Sequence, residues 1–322
     1  MAALMLVANP AASQFTGGDH RAILRLLSGH HRIEAVWPAS AADARVIAAD
    51  AITAGFDGVI AMGGDGIVHQ VAQALVGSEV FLAVVPAGTT NVFARQIGLP
   101  AKPVRAARLL AGDPQIRRLP VVTVEATLAD LSTSVRHAVF AVGVGMDADV
   151  VAAAETEPYR KYRFGEFHYL RTSLRLLWSD VRHRQPTITV TDSDHSAPAI
   201  AVMAQFHSAF TYFGSRPLRF APGVPDPMTV LVVHRLPIRR LPSLLLRIAA
   251  RRSLTEIAGI DIWRKIDAFE VSAPGGARYE LDGEVMGELI SGTVTFRPDA
   301  LWVVGPRLIA APGDDPARPA PG

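Results

Sequence analysis

Apolar positions along this chain follow two regimes. From residue 3 to about residue 110, short apolar runs alternate with segments whose apolar residues recur at helical spacing. The runs at 4–8, 32–37, 59–62 and 80–85 have the length of buried strands, and 20–27, 41–54, 67–75 and 92–97 read as helices. Strand and helix in alternation predict a parallel, doubly wound sheet with helices on both faces. The pattern changes near residues 111–114. Short β-rich runs then dominate, at 121–127, 136–144, 187–191, 199–205, 229–234, 267–272 and 293–297, separated by glycine and proline turns. They predict an antiparallel sandwich or barrel, interrupted by one helical stretch at 159–181. The expected organisation is an α/β domain over 1–115, a β-rich domain over 116–306 with a cleft between the two, and a disordered tail over 307–322.

Composition adds bounds. A chain of 322 residues with 49% apolar residues can bury two cores. It has no cysteine, so disulfides and thiol chemistry are excluded. Residues 1–8 carry no basic region and run into Asn9 and Pro10, which reads as a first strand rather than a signal peptide. No apolar run approaches the roughly 20 residues needed to cross a bilayer, so a cytoplasmic protein is expected. A net charge of +2 is too weak to imply nucleic acid. Lysine occurs only at 102, 161 and 265, the other cations being arginine. That suits phosphate and headgroup contacts, although genome composition accounts for it equally well.

The chemistry concentrates in two loops at the carboxyl ends of successive strands. In the first, the strand at 59–62 breaks at Gly63, Gly64, Asp65 and Gly66 and restarts as a helix through Ile67, Val71, Ala74 and Leu75. Glycines let backbone approach a phosphate, and the N–H groups of a first helical turn point at it. Asp65 adds negative charge to such a loop, which makes sense if a metal ion bridges carboxylate and phosphate. The plain alternative is a tight turn between strand and helix. In the second loop, Pro86 to Asn91 place Thr89, Thr90 and Asn91 where the next helix begins. Threonine and asparagine are ordinary helix caps, but open α/β sheets bind ligands at this end.

Gly63 to Gly66, followed by the run from Pro86 through Gly98 to Pro100, resembles the diacylglycerol kinase catalytic family, which includes soluble bacterial lipid kinases and the sphingosine and ceramide kinases. A later Leu281, Asp282, Gly283 and Glu284 also matches, so the resemblance spans most of the chain. It implies a nucleotide-binding first domain and ATP with magnesium as the cofactors. By the same resemblance the nucleotide set is Asn9, Gly63, Gly64, Asp65, Gly66, Ile67, His69, Thr89, Thr90, Asn91 and Glu155. Asn9 enters because the family has a similar Asn-Pro at the end of its first strand. Glu155 enters by its ten-residue spacing from Gly165, with a solvated glutamate at a helix start as the alternative.

The resemblance makes Glu284 the proton acceptor, with Asp282 and Asp65 as the other catalytic carboxylates. Without it, Asp282 and Gly283 read as a plain hairpin turn. It also implies a structural magnesium site from the Asp226 carboxylate and the Gly223 and Met228 carbonyls, although Pro225 and Pro227 depart from the usual pattern. Further departures are Pro38 where the family offers a threonine (Ser40 being the nearby hydroxyl), Ile67 for a threonine and Gln70 for a glutamate.

Two stretches, 159–170 and 236–252, interleave aromatics or leucines with cations and could lie on an anionic membrane surface; a helix packed on the β-domain is the bland reading. Taken together, the expectation is an ATP- and magnesium-dependent lipid kinase. Its acceptor is a primary hydroxyl of a diacylglycerol-like or sphingoid lipid, and it is cytoplasmic and transiently at the inner membrane surface. A homodimer is compatible with it. The alternatives are an NAD kinase-like enzyme, which shares a similar glycine loop, and a nucleotide- or lipid-binding protein without catalysis.

Overall fold

The computed structural model describes residues 1–112, 114–146, 148–149, 185–214, 216–220, 224–225, 227–235 and 257–306. The first part alternates β1 (Ala3–Ala8), α1 (Gly17–Ser28), β2 (Arg32–Val36), α2 (Ala41–Thr53), β3 (Gly58–Gly63), α3 (Asp65–Leu75), β4 (Phe81–Pro86), α4 (Val92–Gln96) and α5 (Pro103–Ala111). The strands pair in parallel in the order β2-β1-β3-β4. The inner strands β1, β3 and β4 are apolar at nearly every position because both faces are covered, whereas the edge strand β2 carries Arg32 and Glu34. Val7, Val59, Ala61 and Val84 pack in one core with Ala48, Val71 and Leu75 from α2 and α3. The alternate residues Leu6, Ile60, Met62 and Val85 pack in another with Ile23, Leu27 and Leu110 from α1 and α5. The doubly wound sheet expected from the pattern is present.

Helix starts follow their caps. The Thr16 hydroxyl accepts the N–H of Asp19 at 3.0 Å, and the Ser40 hydroxyl accepts that of Asp43 at 3.1 Å. Ser40 is thus the cap of α2, a role that already engages its hydroxyl.

The second part is β5 (Gln115–Leu128), β6 (Thr133–Ala138), β7 (Val142–Gly145), β8 (Ile188–Thr191), β9 (Ser196–Ala199), β10 (Ala201–Gln205), β11 (Thr211–Phe213), β12 (Arg216–Leu218), β13 (Thr229–Val233), β14 (Ile260–Arg264), β15 (Ala268–Leu281) and β16 (Glu284–Gly305). The pairing is antiparallel, apart from one link described below, and the inner faces share a core that includes Val124, Val144, Val202, Val230, Trp263, Phe269, Tyr279 and Val294. An N-terminal α/β domain followed by a mostly antiparallel β-rich region is therefore what the chain builds. The change of pattern near residues 111–114 falls where α5 ends and β5 begins.

Several strand limits differ from the sequence expectation. The run at 136–144 divides into β6 and β7 at Val139, Phe140 and Ala141, because the N–H groups of these three residues bond the Asp282 carboxylate instead of a strand. The run at 199–205 divides at Ile200, which bonds out to Val233 and Met146. The runs at 267–272 and 293–297 are parts of β15 and β16, bent by irregularities at Ser272/Ala277, Tyr279/Glu280 and Arg297/Leu301. At its far end β16 joins β4 in parallel, Val303 beside Leu82. The two parts therefore share one hydrogen-bonded sheet. The stretches 159–170 and 236–252, with Glu155, Gly223, Asp226 and the tail 307–322, lie outside the described residues.

Gly145 tests this packing. Its φ is +86°, and a Cβ there would stand 2.5 Å from the Ile200 carbonyl oxygen and 2.6 Å from Ile188 Cδ1. Gly145→Ala should lower stability by about 1–3 kcal/mol in denaturant titration, as overpacking does. Gly275 has nothing within 4 Å of its Cβ position, so Gly275→Ala should stay within about 0.5 kcal/mol of wild type.

Candidate active site

In the order β2-β1-β3-β4, the first two connections run to opposite sides of β1, and the switch point lies between β1 and β3. The loops after those two strands meet there. The Asn9 N–H donates to the Met62 carbonyl at 2.9 Å, and Asn9 Oδ1 accepts the N–H of Ala11 at 2.9 Å. The loop after β4 lies against both, with the Ala87 N–H bonded to the Gly63 carbonyl at 2.7 Å and the Gln14 N–H to the Ala87 carbonyl at 2.8 Å.

The glycines are required by contact. A Cβ on Gly88 would come within 2.5 Å of the Gly64 Cα, so the two loops touch backbone to backbone. Helix α3 starts here, and unlike α1 and α2 it has no side-chain cap. An uncapped first turn beside bare backbone is suited to phosphate oxygens. The Ser13 and Thr89 hydroxyls, both exposed, stand 3.0 Å apart at the rim, and Thr90 is half-buried beside them.

Three of the expected ligands turn inward. Asn91 sits in the left-handed region (φ 49°) and braces its own loop, accepting the Gly88 N–H at 2.9 Å and donating to the Gly88 carbonyl at 2.7 Å. Ile67 is buried, its Cγ2 over Gly63. His69 is 1% exposed, with Nδ1 2.8 Å from Asp282 Oδ2.

Asp65 is engaged as well. Its two oxygens accept the N–H groups of Val92 and Phe93 at 2.9 and 3.1 Å, tying the start of α4 to the first loop. Burial pushes its carboxyl up to about 6; those two N–H bonds and the Arg95 charge act the other way, while the Asp282 charge adds to the rise.

The hairpin between β15 and β16 supplies the remaining carboxylates. Asp282 and Gly283 have φ of 57° and 82°, as a two-residue turn with both central residues left-handed requires. Asp282 is 3% exposed, and its carboxylate accepts from Val139, Phe140 and Ala141 at 2.8–3.1 Å as well as from His69. It is an anchor, fully satisfied by protein donors. Glu284, two residues on, is half-buried and faces the first loop: a Cβ on Gly66 would lie 2.5 Å from its Oε1. Hairpin and glycine loop, 218 residues apart by number from Gly66 to Glu284, thus meet at one point.

Sequence reasoning missed the Val139–Ala141 amides, Ser13, and Gln73, which clamps α3 to β6 by accepting the His137 N–H at 2.9 Å and donating to its carbonyl. Backbone amides carry no residue-type signal, and Ser13 and Gln73 stand in no motif. His207, near the Asp282 charge and hydrogen-bonded to the Val139 backbone, is lowered to about 4 by burial. Of the second metal set only Met228 is described; it is buried and its carbonyl accepts the Ile266 N–H at 3.1 Å. Among the described residues no helix is long and apolar enough to cross a membrane, and no three acidic or histidine groups gather as a metal cage.

Residues 3–124 match the model of the diacylglycerol kinase catalytic domain. A diacylglycerol kinase of Mycobacterium tuberculosis is 41% identical over 88 residues, 27% of this chain and 28% of that protein. A Pseudomonas aeruginosa protein named Probable lipid kinase YegS-like is 47% identical over 70 residues, 21% of this chain and 23% of that protein. The matched stretches thus span about a quarter of these relatives' length. A crystal structure described as a diacylglycerol kinase from Bacillus anthracis str. Sterne superposes with a TM-score of 0.72 over 96% of this chain and 98% of that one, at 19% identity, which shows a shared fold. The resemblance read from the two glycine loops is borne out.

The raised Asp65 carboxyl makes a signed prediction. Between its ordinary value of 3.8 and about 6 the folded chain binds the proton and the unfolded chain does not, so this group's contribution to stability falls as pH rises through that window. Asp65→Asn removes the titration. The difference in melting temperature, wild type minus Asp65→Asn, should therefore rise as pH falls from 7 to 5, and a flat difference would contradict the assignment.

Proposed function

We propose, from the diacylglycerol kinase catalytic match of residues 3–124, that this chain is an ATP- and magnesium-dependent lipid kinase. Its acceptor is a primary hydroxyl of a diacylglycerol-like or sphingoid lipid. The observation that carries the reading is the Glu284 carboxylate held against Gly66, a base candidate beside a backbone phosphate cradle.

The reaction asks for little covalent chemistry from the protein and much alignment. The lipid oxygen forms a bond to the γ-phosphorus, the bond to the bridging oxygen of ADP breaks, and the hydroxyl proton passes to Glu284. The bare backbone at Gly64, Gly66 and Gly88 and the first turn of α3 hold phosphate oxygens, with the Ser13 and Thr89 hydroxyls at the rim.

The donor set fits magnesium in one way. Both Asp65 oxygens already accept an N–H and both Asp282 oxygens are occupied, so a cage of direct protein ligands does not fit here. An ion that keeps its waters would fit, with Asp65 holding it through water and substrate phosphates supplying direct ligands. When bound, it would neutralise phosphate charge. Lipid access from an inner membrane surface, in a cytoplasmic protein, is part of the same proposal.

Incubation with labelled ATP, magnesium and a panel of diacylglycerol, sphingosine, ceramide and NAD tests it. Label should appear in a lipid. Label in NAD alone would transfer the chain to the dinucleotide kinases, and tight nucleotide binding without transfer would remove catalysis. On the accepting lipid, Glu284→Gln should lower kcat by about 10²–10⁴-fold, the usual worth of a general base, with ATP binding little changed. Recovery of the rate at raised magnesium would instead make Glu284 a metal contact.

A further inference from the structure

We infer that His69 is a positioning residue of the transfer site: through Asp282 it fixes the Glu284 carboxylate against the phosphate loop. The inference rests on the kinase reading above, since it assigns a role relative to Glu284.

The geometry runs in three steps. His69 lies in α3, the helix that the glycine loop opens, and it follows Gly66 by three positions. Residues three apart share a helix face, so Gly66 and His69 present one side of α3 to the hairpin. Two contacts join those surfaces, the Glu284 carboxylate at Gly66 and Asp282 at His69.

Next comes the direction of the bond. Three backbone N–H groups donate to Asp282, which marks it as the ionised, acceptor-only form. The facing Nδ1 must then carry the proton, so His69 donates and the pair is not a proton relay open to solvent. With His69 1% exposed and Asp282 3%, neither ring nor carboxylate is placed to touch a substrate.

Last is the lever. Only Gly283 separates Asp282 from Glu284, and both turn residues are held at positive φ. A shift of the turn at Asp282 is therefore passed on to Glu284. The attachment of α3 itself does not depend on this bond. Gln73, one turn further along, is clamped to both backbone groups of His137, and Val71, Ala72 and Leu75 are fully buried. Loss of the His69 donor should therefore shift the base while α3 stays docked.

The test is a double-mutant comparison on the lipid that accepts label in the panel. His69→Leu removes the donor; His69→Asn keeps one, its amide nitrogen standing near the place of Nδ1. Each is made in the wild type and in Glu284→Gln, with kcat, KM for ATP and thermal melts recorded. His69→Leu should lower kcat about 10–10²-fold, the scale of a misplacement of about 1 Å, with KM for ATP within about threefold. His69→Asn should recover most of the rate. In the Glu284→Gln background His69→Leu should lose no more than about twofold, because the group it positions is already disabled.

Losses that multiply across the two backgrounds would overturn the inference and leave the base in place. An unchanged kcat in Glu284→Gln alone would overturn both. If His69→Leu does not fold, His69→Gln, whose amide nitrogen stands one bond further from Cα than Nδ1 and so leaves the Nδ1 position without a donor, carries the same comparison.

Discussion

The structure is organised around one buried anion. Asp282 carries a charge in a place where water does not reach, and it is kept there by four donors from two remote parts of the chain. Removing a partner from such a group typically costs about 3–5 kcal/mol, because an uncompensated buried charge remains. That constraint explains features that look unrelated. Strand pairing stops at Val139, because three successive amides turn to the carboxylate instead of a neighbouring strand. A histidine sits in the middle of an otherwise apolar helix face beside Val68, Val71 and Ala72. The hairpin adopts a two-residue turn with Asp282 itself left-handed, which aspartate tolerates better than most residues.

The second constraint is backbone contact between the two glycine loops. Gly88 approaches the Gly64 backbone until it could not carry a side chain, and Asp65 ties the pair by bonding the first amides of α4. Any one of these would be a local turn feature. Together they make a rigid floor of N–H groups and bare Cα atoms, with Glu284 entering from the other half of the chain. The long β16 makes that entry reproducible, since the strand that begins at Glu284 ends paired with β4, whose following loop forms half the floor.

Much of this was legible in the sequence, for reasons that can be named. The α/β half announces itself because its strands are buried on both faces and its helices on one, so the two periodicities separate cleanly. The loops stand out because glycines and polar residues break an apolar run just where helical spacing begins. What could not be read was the direction in which polar side chains point. Asn91, His69, Asp65 and Asp282 were all legible as polar residues in motif positions, and the structure turns them toward protein donors and acceptors. A motif reports residue type; whether a carboxylate faces a ligand or an amide depends on segments 27 residues away for Asp65 and more than 140 away for Asp282. The 136–144 run failed for the same reason, its break being set by Asp282 rather than by its own residues.

That inward turning bears on how a phosphate site can carry three carboxylates. Asp65, Asp282 and Glu284 cluster around α3, and repulsion from Asp282 is part of what lifts Asp65 toward 6. Brought together with free charges, they would repel a nucleotide. Here Asp282 is neutralised by four donors and Asp65 by two amides at a helix start, where the helix dipole also favours negative charge. Glu284 is the one of the three for which no hydrogen-bonded protein partner is seen among the described contacts, and its carboxylate is the one at the loop surface. Under the proposed function, that division gives the carboxylates separate tasks. Two hold the floor and the hairpin in register, and the third retains the lone pairs that proton removal needs.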